Sequence, residues 1–192
     1  MILLNGSSSS GKTSIAKQLQ AKAPEPFLHF SIDDTFPWLP PQWLESAEGF
    51  RFVALSNGEM PILTGPAGER VLSAWRRMIR AAVDAGLKAI VDDVFITETA
   101  LSDWVEVMTG RETFMVGVRC DLAELNRREI AREDRGIGQA RWQHRRVHAY
   151  GPYDLEVDTT TTPPADCADA IIAAIAKRRG PSAFERHQAL QT

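Results

Sequence analysis

Cysteine is scarce in this 192-residue chain. Cys120 and Cys167 stand far apart, with no CxxC spacing. That argues against a disulfide framework, and it suits a reducing compartment. Long apolar runs are also missing: none approaches the ~20 residues that would cross a bilayer. The opening "MILLNG" turns polar at once and reads as a strand, not a leader peptide. An excess of one charge is lacking too. Lys and Arg number 22 against 25 Asp and Glu, for a net charge of −3. A broad nucleic-acid-binding surface is therefore not expected. Internal repeats are absent. The chain is expected to be a soluble cytoplasmic protein with neither a membrane nor a nucleic-acid partner, and a homo-oligomer is left open.

What is present has ordinary globular composition, 44% hydrophobic and 24% charged. A chain of this length can bury roughly 70% of its unfolded surface in one domain. Short apolar runs recur at Ile2–Leu4, Phe27–Ile32, Ala89–Val91, Phe114–Val118 and Leu155–Val157. Helical patterns lie between them. Leu72, Trp75, Ile79, Ala82 and Val83 fall at spacings of three and four, with Gly86 as a stop. Ala168, Ile171, Ile172 and Ile175 repeat this after a Pro163-Pro164 start. Strands that are apolar throughout, separated by helices, predict an α/β fold: a five-stranded parallel sheet covered on both faces.

The predicted domain spans 1–178, with a polar, frayed tail at 179–192. Two segments break the alternation. Residues 36–68 hold five prolines with Trp38, Trp43, Phe50 and Phe52, and read as an irregular or partly helical insertion. Residues 127–146 are crowded with arginines and interrupted by Gly136 and Gly138.

"GSSSSGKT", Gly6 to Thr13, matches G-x-x-x-x-G-K-[ST] in full, between a strand and an amphipathic helix begun by Ile15, Ala16 and Leu19. Such a loop turns successive backbone N–H groups inward around phosphate oxygens. Small side chains at Ser7, Ser8, Ser9 and Ser10 leave those amides accessible. Lys12 supplies charge to the β- and γ-phosphates and Thr13 a hydroxyl to Mg²⁺, while Gly11 and Ser14 complete the cradle at the helix start.

Two Asp pairs each end an apolar strand, "FSIDD" and "AIVDD". Ligands sit beyond the carboxyl ends of parallel strands, so both pairs belong to the rim that carries the loop. Asp92 or Asp93 is the expected Mg²⁺ carboxylate. Asp33 is the candidate base for an acceptor hydroxyl, with a Mg²⁺-related or capping role as its rival. Asp34 or Asp93 could equally cap a helix. Arg128, Arg132 and Arg135 recur at four and three, which places them on one helical face. The plain reading is a solvated face paired with Glu129, Glu133 and Asp134; beside a phosphate loop, a closing lid with Arg132 and Arg135 at work is favoured. His144 and His148 lack the Glu of H-E-x-x-H and a third ligand, and are read as packing residues.

Taken in order, "ILLNGSSSSGKTSIAKQLQ", "PEPFLHFSIDD", "SAEG", "IVDDVF", "VGVRCD", "REDR" and "YDLEVDTT" resemble chloramphenicol phosphotransferase and its relatives, P-loop kinases akin to adenylate and shikimate kinases. The resemblance runs from Ile2 to Ile175. It implies a three-layer kinase fold with a helical lid, and ATP-dependent phosphorylation of a hydroxyl on a small molecule, in the namesake chloramphenicol. It places the catalytic aspartate at Asp33, the lid arginines at Arg132 and Arg135, and Asp158 and Thr159 of "VDTT" near the adenine. The acceptor is expected to meet Asp33, Asp34, Phe36, Trp38, Trp43, Phe52 and Asp93. Asp34 departs from the family's small residue, "FPWLPPQWLES" is richer in Trp and Pro, and residues after Ile175 are extra, so the acceptor is the least defined element. A kinase for a sugar, a shikimate-like acid or a nucleotide, or a nucleotide-binding switch, are the alternatives.

Overall fold

The computed structural model describes residues 1–132 and 136–191. Its seven described strands are β1 (Ile2–Asn5), β2 (Phe27–Ser31), β3 (Phe50–Phe52), β4 (Ile62–Thr64), β5 (Lys88–Asp93), β6 (Phe114–Arg119) and β7 (Leu155–Asp158). Five of them make one parallel sheet in the order β2-β5-β1-β6-β7. The phosphate-binding loop leaves the central strand β1 and runs into α1 (Lys12–Lys22). The other helices are α2 (Pro66–Asp84), α3 (Glu98–Val107), α4 (Leu122–Ile130), α5 (Gln139–His144), α6 (Pro164–Lys177) and α7 (Ala183–Gln191).

The side-chain period of two along each strand sorts the apolar residues into two cores. Ile2, Leu4, Ile90 and Val116 face α1 and α6, packing on Ile15, Leu19 and Ile171. Leu3, Val91 and Met115 face the other way, onto Trp75 and Ile79 of α2, Trp104 of α3 and Phe184 of α7. Strands buried on both faces need continuous apolar sequence, which is why these runs do not alternate.

Two regions differ from expectation. The insertion at 36–68 contains a small antiparallel hairpin, β3 with β4, preceded by 3₁₀ turns at Ile32–Trp38 and Pro41–Trp43. Each strand is only three residues long, too short for a period of two to show in the sequence. The tail is not frayed. Its α7 seats Ala183 and Phe184 in the core at 0% and 1% exposure, and the Asp154 carboxylate joins the Ala183 amide (2.6 Å) to the Met115 amide of β6 (2.8 Å). One aromatic and one alanine suffice to dock a segment whose remaining residues are mostly polar.

Docking on this scale has a measurable consequence. Phe184→Ala should destabilise the protein by roughly 3 kcal/mol and lower its melting temperature by on the order of 10 °C. An unchanged melting temperature would mean that α7 is not part of the cooperative unit.

Candidate active site

The phosphate-binding loop lies close against the neighbouring strand β6. A Cβ on Gly6 would stand 2.5 Å from the Val118 carbonyl oxygen of β6, so no larger residue fits. Gly11, at φ +90°, is the left-handed residue that turns the loop into α1. Lys12 folds back across the loop, and its Nζ donates to the Gly6 and Ser7 carbonyls at 2.8 and 2.9 Å. The Ser8, Ser9 and Ser10 hydroxyls are buried without a hydrogen-bond partner among the described residues. Buried orphan hydroxyls are uncommon, and three in a row around a concave loop fit an oxygen-rich ligand such as a nucleotide phosphate chain.

Asp92 and Asp93 are adjacent in β5 and so project to opposite faces. Asp92 shares the face of Ile90 and meets the loop. Thr13 Oγ1 donates to its Oδ2 at 2.6 Å, Lys12 Nζ lies 4.0 Å from Oδ1, and His29 Nε2 stands 3.5 Å from Oδ2, an ion-pair distance with no well-formed hydrogen bond. Burial raises the pKa of this carboxyl, but His29, the Lys12 charge and the Thr13 hydroxyl together outweigh it and hold the pKa below its ordinary value. Asp93 shares the face of Val91. It is fully buried and receives Trp104 Nε1 at 2.6 Å and the Val94 amide at 2.7 Å, so both its oxygens are engaged inside the protein. Thr13 and Asp92 form an all-oxygen pair suited to Mg²⁺, with phosphate oxygens and water completing the shell. Asp93, expected as a metal or acceptor ligand, also lines the cleft, with its oxygens held by Trp104 and Val94.

A cleft of about 820 Å³ opens from the loop toward the insertion. Ser31 pairs with Asp92 across β2 and β5, which sets Asp33 two residues beyond the sheet rim. Asp33 and Phe36 lie three apart in a 3₁₀ helix and share a face; both line the cleft. Asp34 points elsewhere and accepts from the Ser31 amide at 3.2 Å, the capping role that the sequence allowed. Trp38, Trp43 and Phe52, expected to contact the acceptor, are not among the described residues lining the cleft. Trp38 is 48% exposed, and Phe52 packs on Phe36 from behind, ring centroids 5.9 Å apart. Phe36, expected to meet the acceptor, lines the cleft and builds its apolar wall with Phe50, Leu72 and Phe95.

On the opposite side, α4 ends at Ile130, so Arg128 and Arg132 do not continue along one helix toward position 135. Arg132 lines the cleft. Arg135 lies outside the described residues. Arg128, passed over in the sequence, reaches the loop: its Nη2 donates to the Thr159 carbonyl at 2.6 Å and its Nη1 to Thr159 Oγ1 at 3.3 Å. Thr159 Oγ1 in turn donates to the Ser10 carbonyl at 2.7 Å, while Asp158 is exposed and receives the Thr160 amide at 2.8 Å. Glu129 is not on a solvated face. Buried to 1% exposure, it caps α5 by accepting from the Gly138 and Ala140 amides, each at 2.8 Å. Gln143 was also missed: its Oε1 accepts the Ser8 amide at 2.6 Å. Its signal was a polar residue between Ala140 and Val147 on an otherwise buried helical stripe.

A five-stranded parallel sheet whose central strand runs through G-x-x-x-x-G-K-T into a helix is the fold of P-loop kinases. Solved structures agree on the fold. A sugar kinase from Janibacter superposes with a TM-score of 0.66 at 17% identity, covering 91% of this chain and 93% of that one. The Mycobacterium tuberculosis APS kinase, solved with AMPPNP and APS, gives 0.64 at 15% identity over 92% and 96%. A Mycobacterium tuberculosis protein provisionally named an O-phosphotransferase is 36% identical over 97% of this chain and 86% of its own length. Residues 1–176 match the model for chloramphenicol phosphotransferase-like proteins. The chain belongs to that family and is an ATP-dependent small-molecule kinase.

Behind the loop, Asn5 Nδ2 donates to the Val147 carbonyl (2.7 Å) and to the Tyr153 hydroxyl (2.9 Å), which also pairs with His148 Nδ1 at 2.9 Å. Burial, then the Arg119 charge, pushes the His148 pKa down to about 4. The unfolded chain therefore binds a proton that the folded one refuses between about pH 6.5 and 4, and stability is lost as pH falls through that window. His148→Gln should show a smaller drop in melting temperature between pH 7 and 5 than the parent. Equal drops would remove His148 from the account.

Proposed function

We propose that this kinase transfers the γ-phosphoryl group of ATP to a hydroxyl on a compact, largely apolar molecule, with a chloramphenicol-like antibiotic as the favoured acceptor. The observation that carries the reading is a single cleft lined by Lys12 and Thr13 at one end, by Phe36, Phe50 and Phe95 at the other, and by Asp33. Asp33 orients the acceptor hydroxyl and takes its proton as the oxygen bonds to the γ-phosphorus and the bond to the β–γ bridging oxygen breaks, releasing ADP. The loop amides and Lys12 hold the phosphates. Thr13 and Asp92 would hold Mg²⁺, which neutralises phosphate charge when bound. Arg132 and Arg135 would balance the charge of the group in transit, and Thr159 would border the nucleoside. Two buried free thiols fit a cytoplasmic setting, and among the described residues no helix is long and apolar enough to cross a membrane.

Labelled ATP, Mg²⁺ and a panel of hydroxylated antibiotics and metabolites test the acceptor. Label on chloramphenicol is the expected result, and label confined to sugars or nucleotides would overturn it. Asp33→Asn should lower kcat by about 10²-fold or more while AMPPNP affinity stays unchanged. Intact turnover in that variant would remove Asp33 from the chemistry.

The two rim aspartates separate by readout. Asp92→Asn should weaken the Mg²⁺ dependence of nucleotide binding and leave the fold intact. Asp93→Asn should instead lower the melting temperature, because the Trp104 N–H and the Val94 amide lose their ionised partner. The reverse pattern would exchange their roles.

A further inference from the structure

Beside the apolar wall of the cleft stands a buried cation, Arg76. It lies on α2 among Leu72, Trp75 and Ile79, all buried, and is itself only 3% exposed while still lining the cleft. Nη1 donates to Asp103 Oδ2 at 2.7 Å, and the guanidinium carbon lies 5.6 Å from the Trp104 ring centroid. Among the described residues, Nε is buried with no hydrogen-bond partner, and Nη2 makes no hydrogen bond. Arg77 also approaches Asp103, at 3.6 Å, so one carboxylate serves two guanidinium groups and positive charge is in surplus.

A guanidinium sealed in an apolar wall is costly unless all its donors are used. Here Asp103 and Trp104 fix its plane and leave the Nε–Nη2 edge without a partner. That edge presents two parallel N–H donors at the spacing of a carboxylate's two oxygens. We propose that Arg76 is an acceptor-specificity residue, which receives a planar pair of oxygens carried by the acceptor on its apolar body, away from the hydroxyl that is phosphorylated. Two groups have that shape: a carboxylate, which also satisfies the surplus charge, and its neutral isostere, a nitro group. Glu69, one turn before Leu72 on the same helix, lines the cleft too but is exposed, so it does not cancel the buried charge. The proposal rests on the small-molecule kinase reading above for the hydroxyl, and on the geometry of Arg76 alone for the oxygen pair.

Three primary alcohols that differ in one group test it: 4-(hydroxymethyl)benzoic acid, 4-nitrobenzyl alcohol and 4-methylbenzyl alcohol. Their binding to the AMPPNP-loaded protein is measured by calorimetry, and their phosphorylation with ATP. The protein should bind the carboxylate or the nitro compound at least tenfold more tightly than the methyl compound; a preference for the carboxylate alone marks charge, and a preference for both marks geometry. Arg76→Met should abolish the preference. Arg76→Lys, which keeps a cation beside Asp103 and so protects the fold, should reduce it severalfold, with AMPPNP affinity unchanged in both. No preference in the parent, or the same preference in Arg76→Met, would overturn the proposal. A preference that depends on Arg76 without phosphoryl transfer to any alcohol would instead sink the kinase reading and leave the oxygen-pair site standing.

Discussion

The contact between Thr13 and Asp92 organises much of this molecule. A hydroxyl at the second position of α1 and a carboxylate at the end of β5 meet at 2.6 Å only because β1 and β5 pair in parallel, with Leu4 opposite Asp92. That register carries the loop onto the same rim as Asp92. Burying a carboxylate to 3% exposure opposes its ionisation, and the Lys12 ammonium, the Thr13 hydroxyl and His29 together reverse the balance. An ionised, desolvated carboxylate attracts a cation more strongly than one in water, because the local dielectric is low. Lys12 is held by the loop carbonyls and by its own proximity to Asp92.

The α4–α5 side depends on a comparable arrangement. Glu129 spends both oxygens on the first amides of α5, which fixes that short helix against α4. α5 then delivers Gln143 to the Ser8 amide, and Arg128 from α4 ties the same loop to Thr159. The Met60 amide donates to the Gly138 carbonyl at 3.0 Å, so the insertion touches the start of α5 as well. The phosphate loop, α4, α5 and the insertion are therefore joined by hydrogen bonds. A nucleotide phosphate that took the Ser8 amide would displace Gln143, and the displacement would be felt in α5 and in the insertion leaning on it.

The parts legible in the sequence are those set by local periodicity or by a contiguous motif. All five apolar runs are strands of one sheet, and the loop motif needs no tertiary information. The illegible parts depend on which face a residue takes. Asp92 and Asp93 are equivalent in sequence, and only the placement of α1 on one side and Trp104 on the other separates them. The tryptophans of the insertion looked like pocket residues because acceptor pockets are mostly apolar, yet of the insertion's aromatics only Phe36 and Phe50 line the cleft among the described residues. Glu129, Gln143 and Arg76 left one shared trace, a polar residue inside a buried helical stripe. Such a residue is held by a specific partner or waits for one.

Glu129 has two backbone partners and Gln143 has one, so their burial is explained from within the chain. Arg76 is explained only in part. Asp103 accounts for one terminal nitrogen, the Trp104 face for the cation's position, and nothing within the described residues for Nε. Its neighbours Trp75 and Ile79 belong to the core, so the helix needs no guanidinium there for packing. A leucine or methionine would fill the volume without desolvating a charge. A charge kept inside an apolar wall, on a residue that lines the cleft, is best accounted for by what the cleft receives.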